Sequence, residues 1–209
     1  MRILIADDHA IFREGLRLVI RESGMQCEVG EAGDGDGLLE KVRDHDWDVL
    51  ILDISFPGKS GLELLREVKA IRPRLPVLVL SMHAEEQYAV RALRSGASGY
   101  LMKESASDEL LTAVDRIARG GRYLTPRVAE ALAAEIAGEG TDDPHRLLSD
   151  RELEVLRLTA RGTTPTEIAS ILGISIKTVS TYKSRILQKL GLDNTAQIIH
   201  YAIEHGLAG

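Results

Sequence analysis

Short apolar runs recur along roughly the first 120 residues, each followed by a longer stretch with apolar positions three and four residues apart. The runs Arg2–Ala6, Val49–Asp53, Val77–Ser81 and Gly99–Lys103 predict strands, with a weaker one near Gln26–Ala32. Four of them are continuous rather than alternating, the pattern of parallel strands covered on both faces. Between them Ile11–Glu22, Gly37–Arg43, Gly61–Ile71, Glu86–Arg94 and Asp108–Ala118 carry helical periodicity. Ser60 and Glu63 form a capping box at the head of the third of these helices. Repeated β–α units of this kind predict a doubly wound α/β domain built on a five-stranded parallel sheet.

After Gly120-Gly121 the pattern changes to helices alone. Pro126–Ala137 predicts one Ala-rich helix, with proline tolerated in its first turn. Gly138–His145 has the composition of a linker. Beyond it, Ser149 with Glu152 caps Arg151–Ala160, and Thr164, Pro165 and Glu167 open a helix that Gly173 stops. Ser175 caps the next helix, which runs to about Leu190, and Asn194 or Thr195 opens the last, ending near His205-Gly206. The chain therefore divides into an α/β domain at 1–121, a linker with a helix at 122–146, and an all-α four-helix domain at 147–209.

Composition adds few constraints. No apolar run is long enough to cross a membrane, and Asp7-Asp8 interrupts the first run too early for a signal peptide. Cys27, the only cysteine, rules out an intrachain disulfide and fits a reducing cytoplasm. The net charge of -6 speaks against nucleic acid as a partner, but the charge is uneven. Residues 1–125 hold 17 Lys and Arg against 21 Asp and Glu, whereas residues 146–209 hold 8 against 6. Within the latter, Ile176–Leu190 carries Lys177, Lys183, Arg185 and Lys189 and no acid. An acidic front and a locally basic back predict two separate tasks.

The polar residues of the first domain fall at chemically useful points. Asp7, Asp53, Ser81 and Lys103 each stand at or just past the C-terminal end of a predicted parallel strand, the edge where open α/β sheets bind ligands. With Asp8 they form one predicted pocket. Three close carboxylates repel one another unless a cation neutralises them, and an all-oxygen set suits Mg²⁺. A carboxylate so placed can attack phosphorus and form an acyl phosphate. Phosphoryl transfer then needs positioning and charge neutralisation, for which Lys103 offers an ammonium and Ser81 a hydroxyl. Taken singly, each aspartate is explained as well by capping the following helix; the five residues together are not.

These segments resemble the receiver domain of two-component response regulators, which has a flavodoxin-like fold: Ile5-Ala6-Asp7-Asp8-His9, Leu50-Ile51-Leu52-Asp53-Ile54, Phe56-Pro57-Gly58 with Gly61, Leu80-Ser81, and Gly99-Tyr100-Leu101-Met102-Lys103. The resemblance implies that Asp53 is the phosphoacceptor, served by a sensor histidine kinase or a small donor such as acetyl phosphate. It implies Mg²⁺ held by Asp8, Asp53 and the backbone carbonyl of Ser55, with Asp7 acting directly or through water. Ser81 and Tyr100 would be the switch pair, the hydroxyl moving to the phosphoryl oxygens as the ring turns inward. Phe56 stands where the family commonly has Met.

In the second domain Thr164–Leu172, Gly173 and Ser175–Leu190 meet the description of a helix-turn-helix. Val179, Tyr182, Ile186 and Leu190 form an inward stripe, leaving Lys177, Thr181, Ser184 and Gln188 opposite, flanked by Ser180, Lys183 and Arg185. Short side chains let the backbone approach a groove, and cations reach phosphates. Leu148-Ser149-Asp150-Arg151-Glu152-Leu153-Glu154-Val155-Leu156, Glu167-Ile168-Ala169, Ile174-Ser175, Lys177-Thr178-Val179 and Leu187-Gln188-Lys189-Leu190-Gly191 resemble the LuxR-type output domain. Together the two halves resemble a complete NarL/FixJ-subfamily regulator of transcription. The resemblance implies base-facing roles for Ser180, Thr181 and Ser184; many relatives carry Lys at the first and near the third. It implies phosphate contacts from Lys177, Thr178, Lys183 and Arg185, and a dimer interface on Gln197–Glu204. Its partners would be the kinase, double-stranded promoter DNA, RNA polymerase and, once phosphorylated, a second copy of the chain.

Rival readings lack parts. An aspartyl-phosphate phosphatase, the enzyme alternative, needs an acid/base Asp two residues after the nucleophile, where Ser55 stands. A nucleotide site would need glycines in the first loop, which is Asp7-Asp8-His9 instead. A third alternative keeps the receiver but has its output domain contact protein. Asp34-Gly35-Asp36-Gly37 reads as a turn before a helix, Cys27 as a core residue on its strand, and Trp47 as packing before the central strand. His9 and His83 flank the pocket without an assigned role.

Overall fold

The computed structural model describes residues 1–56, 59–81, 86–105, 107–136 and 144–208. Pro57, Gly58, His83 and most of the expected linker lie outside these. The chain divides into two compact units, residues 1–139 and 140–209.

In the first unit, β1 (Arg2–Ala6), β2 (Glu28–Ala32), β3 (Val49–Asp53), β4 (Val77–Ser81) and β5 (Gly99–Met102) form one parallel sheet in the order β2-β1-β3-β4-β5. The helices α1 (Ala10–Glu22), α2 (Gly35–Asp44), α3 (Gly61–Ile71), α4 (Glu86–Arg94) and α5 (Ser107–Ala118) connect or follow the strands. Ile3, Ile5, Val49, Ile51, Leu78 and Leu80 share a core with Leu16 and Ile20 of α1 and Leu110, Val114 and Ile117 of α5. The alternate residues Leu4, Leu50, Leu52, Val77 and Val79 point to the other face and are also fully buried. Burial on both faces is why these strands read as unbroken apolar runs, each such side chain contributing roughly 1.5–3 kcal/mol. Strand order reverses between β1 and β3, which opens a crevice beyond their C-terminal ends.

Local chemistry sets the boundaries. Asp34 accepts a hydrogen bond from Gly37 N at 2.7 Å, so α2 starts two residues before the expected Gly37. Ser60 and Glu63 complete the expected capping box of α3. β5 ends at Met102, and the Lys103 amide bonds to Ser81 O at 2.8 Å as the chain turns away. β2 begins at Glu28, whose amide bonds to Met1 O. Cys27 therefore precedes the strand and is only partly buried against the core, not the strand core residue expected. Trp47 lies over Gly30, where an added Cβ would come within 2.3 Å of the indole, and its Nε1 donates to Lys41 O.

The chain beyond α5 stays attached to the first unit. Tyr123 pairs with Gly99 at the β5 edge, its amide bonds to Ser98 O, and its phenol donates to Glu109. The helix α6 (Pro126–Ile136) then packs on α4.

In the second unit a 3-10 turn, Pro144–Leu147, precedes α7 (Asp150–Ala160), α8 (Pro165–Leu172), α9 (Ile176–Leu190) and α10 (Thr195–Glu204). Both expected capping boxes form, at Ser149 and Thr164, and Asn194 rather than Thr195 caps α10. Gly173 and Gly191 end α8 and α9 at φ 62° and 65°, a left-handed conformation that suits glycine. Leu153, Leu156, Ile168, Val179, Ile186 and Ile198 form the core. Among the described residues no helix is long and apolar enough to cross a membrane.

Candidate functional site

Two strand ends and two loops converge in the crevice. Asp7 follows β1, Asp53 ends β3, Ser81 ends β4, and all three are buried. Lys103 reaches back from beyond β5, its Nζ 2.6 Å from Asp7 Oδ2 and 2.8 Å from Asp53 Oδ2. Beneath the ammonium lies the Phe12 ring, 4.6 Å to its centroid. The second oxygens are also held: Asp7 Oδ1 accepts from His9 N at 2.8 Å, and Asp53 Oδ1 from Ser55 N at 3.0 Å. Neither Asp7 nor Asp8 caps α1, whose N-cap His9 makes no side-chain capping bond.

Charge in this crevice is unbalanced. Burial pushes the Asp53 carboxyl above its ordinary value, and Lys103 offsets this only in part. Burial opposes the charge on Lys103 as well, but Asp53 and Asp7 together outweigh it and hold the ammonium protonated. By count as well, three carboxylates, Asp7, Asp8 and Asp53, stand together around the one ammonium of Lys103.

The donor set suits a further cation. Ligand atoms of Asp7, Asp8, His9 and Asp53 all lie within 4.8 Å of one another. Asp8 Oδ1 is buried and accepts no hydrogen bond; His9 Nδ1 is 3.0 Å away but not aligned as a donor. Carboxylate oxygens in such a cluster are hard ligands, compatible with a divalent metal ion.

Ser81 and Tyr100 are joined. Burial pushes the Tyr100 phenol up to about 12, with its hydrogen bond to Ser81 working the other way. Its ring is 3 % exposed and therefore already turned inward. Two residues that the sequence did not single out complete the site. Arg13 Nη1 donates to Asp7 O at 2.6 Å while its Nε pairs with Glu31, which fixes the loop after β1. Phe12 packs under Lys103 as described. Only their places one turn into α1 distinguish them, and nothing in a single sequence marks those places.

The second unit presents the other candidate surface. Val179 and Ile186 are buried and Tyr182 and Leu190 half-buried, so the inward stripe of α9 forms. Lys177, Ser180, Thr181, Ser184, Arg185 and Gln188 are exposed; Thr178 and Lys183 are half-buried. The Thr178 hydroxyl is paired with Ser175, which caps the helix. Lys189 leaves the basic group: its Nζ is 2.6 Å from Glu152 and 3.1 Å from Leu147 O. Burial works to raise the Glu152 carboxyl, but Lys189 and Ser149 hold it below the usual carboxylate range. Lys189 therefore fastens α9 to the start of the domain.

Known proteins match both halves. The response regulator receiver domain model matches residues 3–115, and the model of bacterial regulatory proteins of the luxR family matches residues 146–202. The oxygen regulatory protein NreC of Staphylococcus carnosus is 38% identical over 99% of both chains, and NreC of Staphylococcus aureus is 36% identical. RcsB from Salmonella enterica serovar Typhimurium, solved bound to promoter rprA with phosphomimetic BeF3-, is 33% identical. Its TM-score is 0.64, covering 96% of this chain and 97% of that one. An RcsB–DNA complex gives 32% identity and a TM-score of 0.59, covering 97% and 98%. With a receiver at one end and a LuxR-type DNA-binding domain at the other, the chain belongs to the NarL/FixJ subfamily of two-component response regulators.

Proposed function

We propose that Asp53 is the phosphoacceptor of this transcription regulator, and that its phosphorylation by a sensor histidine kinase controls promoter binding through α9. One observation carries the reading. Asp53 is buried at the end of β3 with Lys103 across it and Asp7 and Asp8 beside it, so that three carboxylates meet one ammonium. A bond from an Asp53 carboxylate oxygen to phosphorus would form as the donor's bond to the phosphoryl group breaks, the electron pair leaving with the donor. Lys103 would hold one phosphoryl oxygen, and Ser81 another once its hydroxyl leaves Tyr100. Asp7, Asp8, Asp53 and the Ser55 carbonyl would hold Mg²⁺, which neutralises the incoming phosphoryl charge.

The divisions proposed are a receiver at 1–121, a connecting segment at 122–146 and an output domain at 147–209. On α9, Lys177, Thr178, Lys183 and Arg185 contact phosphates while Ser180, Thr181 and Ser184 face bases. The outer row of α10, where Ile203 is 63 % exposed, supports a homodimer on two half-sites about one helical turn apart. The relative RcsB, held on promoter DNA with a phosphomimetic, supports the coupling of the two ends. The chain would act in the cytoplasm, where kinase and promoter are both met.

Incubation with acetyl phosphate and Mg²⁺, followed by intact-mass measurement, tests the assignment. The natural chain should gain one phosphoryl group and Asp53→Asn none, with its circular dichroism unchanged. Phosphoryl gain by Asp53→Asn would defeat the proposal. For the DNA contact, Arg185→Ala should weaken binding to specific and random duplexes alike and lower the salt slope by about one. A loss confined to the specific site would instead make Arg185 a base reader.

A further inference from the structure

Ser180, Thr181 and Ser184 stand exposed on α9, yet each spends its hydroxyl proton on the helix. Ser180 Oγ donates to Ile176 O at 3.1 Å, Thr181 Oγ1 to Lys177 O at 3.0 Å, and Ser184 Oγ to Ser180 O at 3.1 Å. A hydroxyl has one proton, so each oxygen turns only lone pairs outward. Thr181, with its oxygen engaged, has its γ-methyl left to offer. The Thr178 hydroxyl is paired with that of Ser175, and either of the two can be the donor. The row is thus three acceptors and a methyl, with Lys177 and Arg185 exposed around it.

Base edges in the major groove sort partners for such a row. Guanine shows two acceptors, N7 and O6, and needs a donor opposite. Cytosine N4 and adenine N6 are amino donors, and thymine carries a C5-methyl. Gln188 could donate, but it lies near the C-terminal end of α9, and recognition helices meet bases with their N-terminal residues. We infer that the base-facing row of this protein reads amino groups and a thymine methyl, and selects against guanine at the positions it faces. The inference rests on α9 being the recognition helix, as proposed above.

Selection of duplexes from a random pool by the full chain, with acetyl phosphate present, supplies the half-site. Replacing the contacted thymine by uracil removes one methyl and should weaken the natural chain about fourfold. The same exchange should leave Thr181→Ser unaffected. Ser180→Ala and Ser184→Ala should each relax the preference at one adenine or cytosine by about five- to tenfold. The inference fails if the base whose preference relaxes is guanine. It fails too if uracil weakens both chains equally, or if all three substitutions leave the selected half-site unchanged. Retention of no duplex by the natural chain would defeat the DNA-binding reading itself, and the inference with it.

Discussion

Replacing Lys103 by methionine is expected to destabilise residues 1–139 by about 3–5 kcal/mol at neutral pH without divalent cations. The side chains of Lys103, Asp7 and Asp53 are only 7%, 2% and 0% exposed, so removal of the ammonium strands two carboxylates away from water. Methionine keeps the apolar stem over Phe12, so little of the loss is packing. The pH dependence has a definite sign. Asp53 already titrates above its ordinary 3.8, so it contributes stability at low pH that is lost as pH rises through its raised value. Without Lys103 that value rises further, and the variant should recover as the solution is acidified. Millimolar Mg²⁺ should restore part of the loss by replacing the missing charge. Urea unfolding at pH 5 and pH 8, with chelator and with Mg²⁺, measures all three. An equal loss under every condition would mean that the cost is steric and that the crevice is not short of positive charge.

Gly61→Ala should cost about 3 kcal/mol, or roughly 10 °C in Tm for a unit of this size. A Cβ at this position would lie 2.4 Å from Ile54 Cα and 2.5 Å from Ile54 O, both backbone atoms. The Gly61 amide also bonds to that same Ile54 carbonyl at 3.0 Å, so the two segments cannot part without losing the bond. Ile54 follows Asp53 directly, so the strain would be relieved by moving the loop after Asp53. Scanning calorimetry should show the loss, and phosphorylation from acetyl phosphate should slow in the same variant. Gly15→Ala, where the added methyl meets nothing within 4 Å, is the control and should not destabilise. A Gly61→Ala chain with native Tm would show that the loop yields freely.

Much of this site was legible because it is built from rules that act locally. A continuous apolar run flanked by helical periodicity specifies a parallel strand, and strand direction then sends every C-terminal end to one edge. Asp7, Asp53, Ser81 and Lys103 could be gathered on that ground alone, although 96 residues separate Asp7 from Lys103. The capping boxes at Ser60, Ser149 and Thr164 were legible for the same reason, since partner and cap are three residues apart. Cys27 was misplaced because a strand's first residue depends on its neighbour's register, here the Met1 carbonyl.

The sequence by itself therefore determined the element order, the sheet edge that carries the chemistry, the identity of the charged groups there, and the outward face of α9. Tertiary structure alone decided which of those groups meet. It placed Arg13 on the Asp7 carbonyl, Phe12 under Lys103, Tyr100 against Ser81, and Lys189 on Glu152 instead of on the basic face. It also carried Tyr123 back to the β5 edge and α6 onto α4, where the sequence suggested a linker with a helix but not what that helix packs on. The physical reason is range. Periodicity and capping are settled within a few residues of chain, whereas pairing of side chains depends on packing distances that no local pattern encodes.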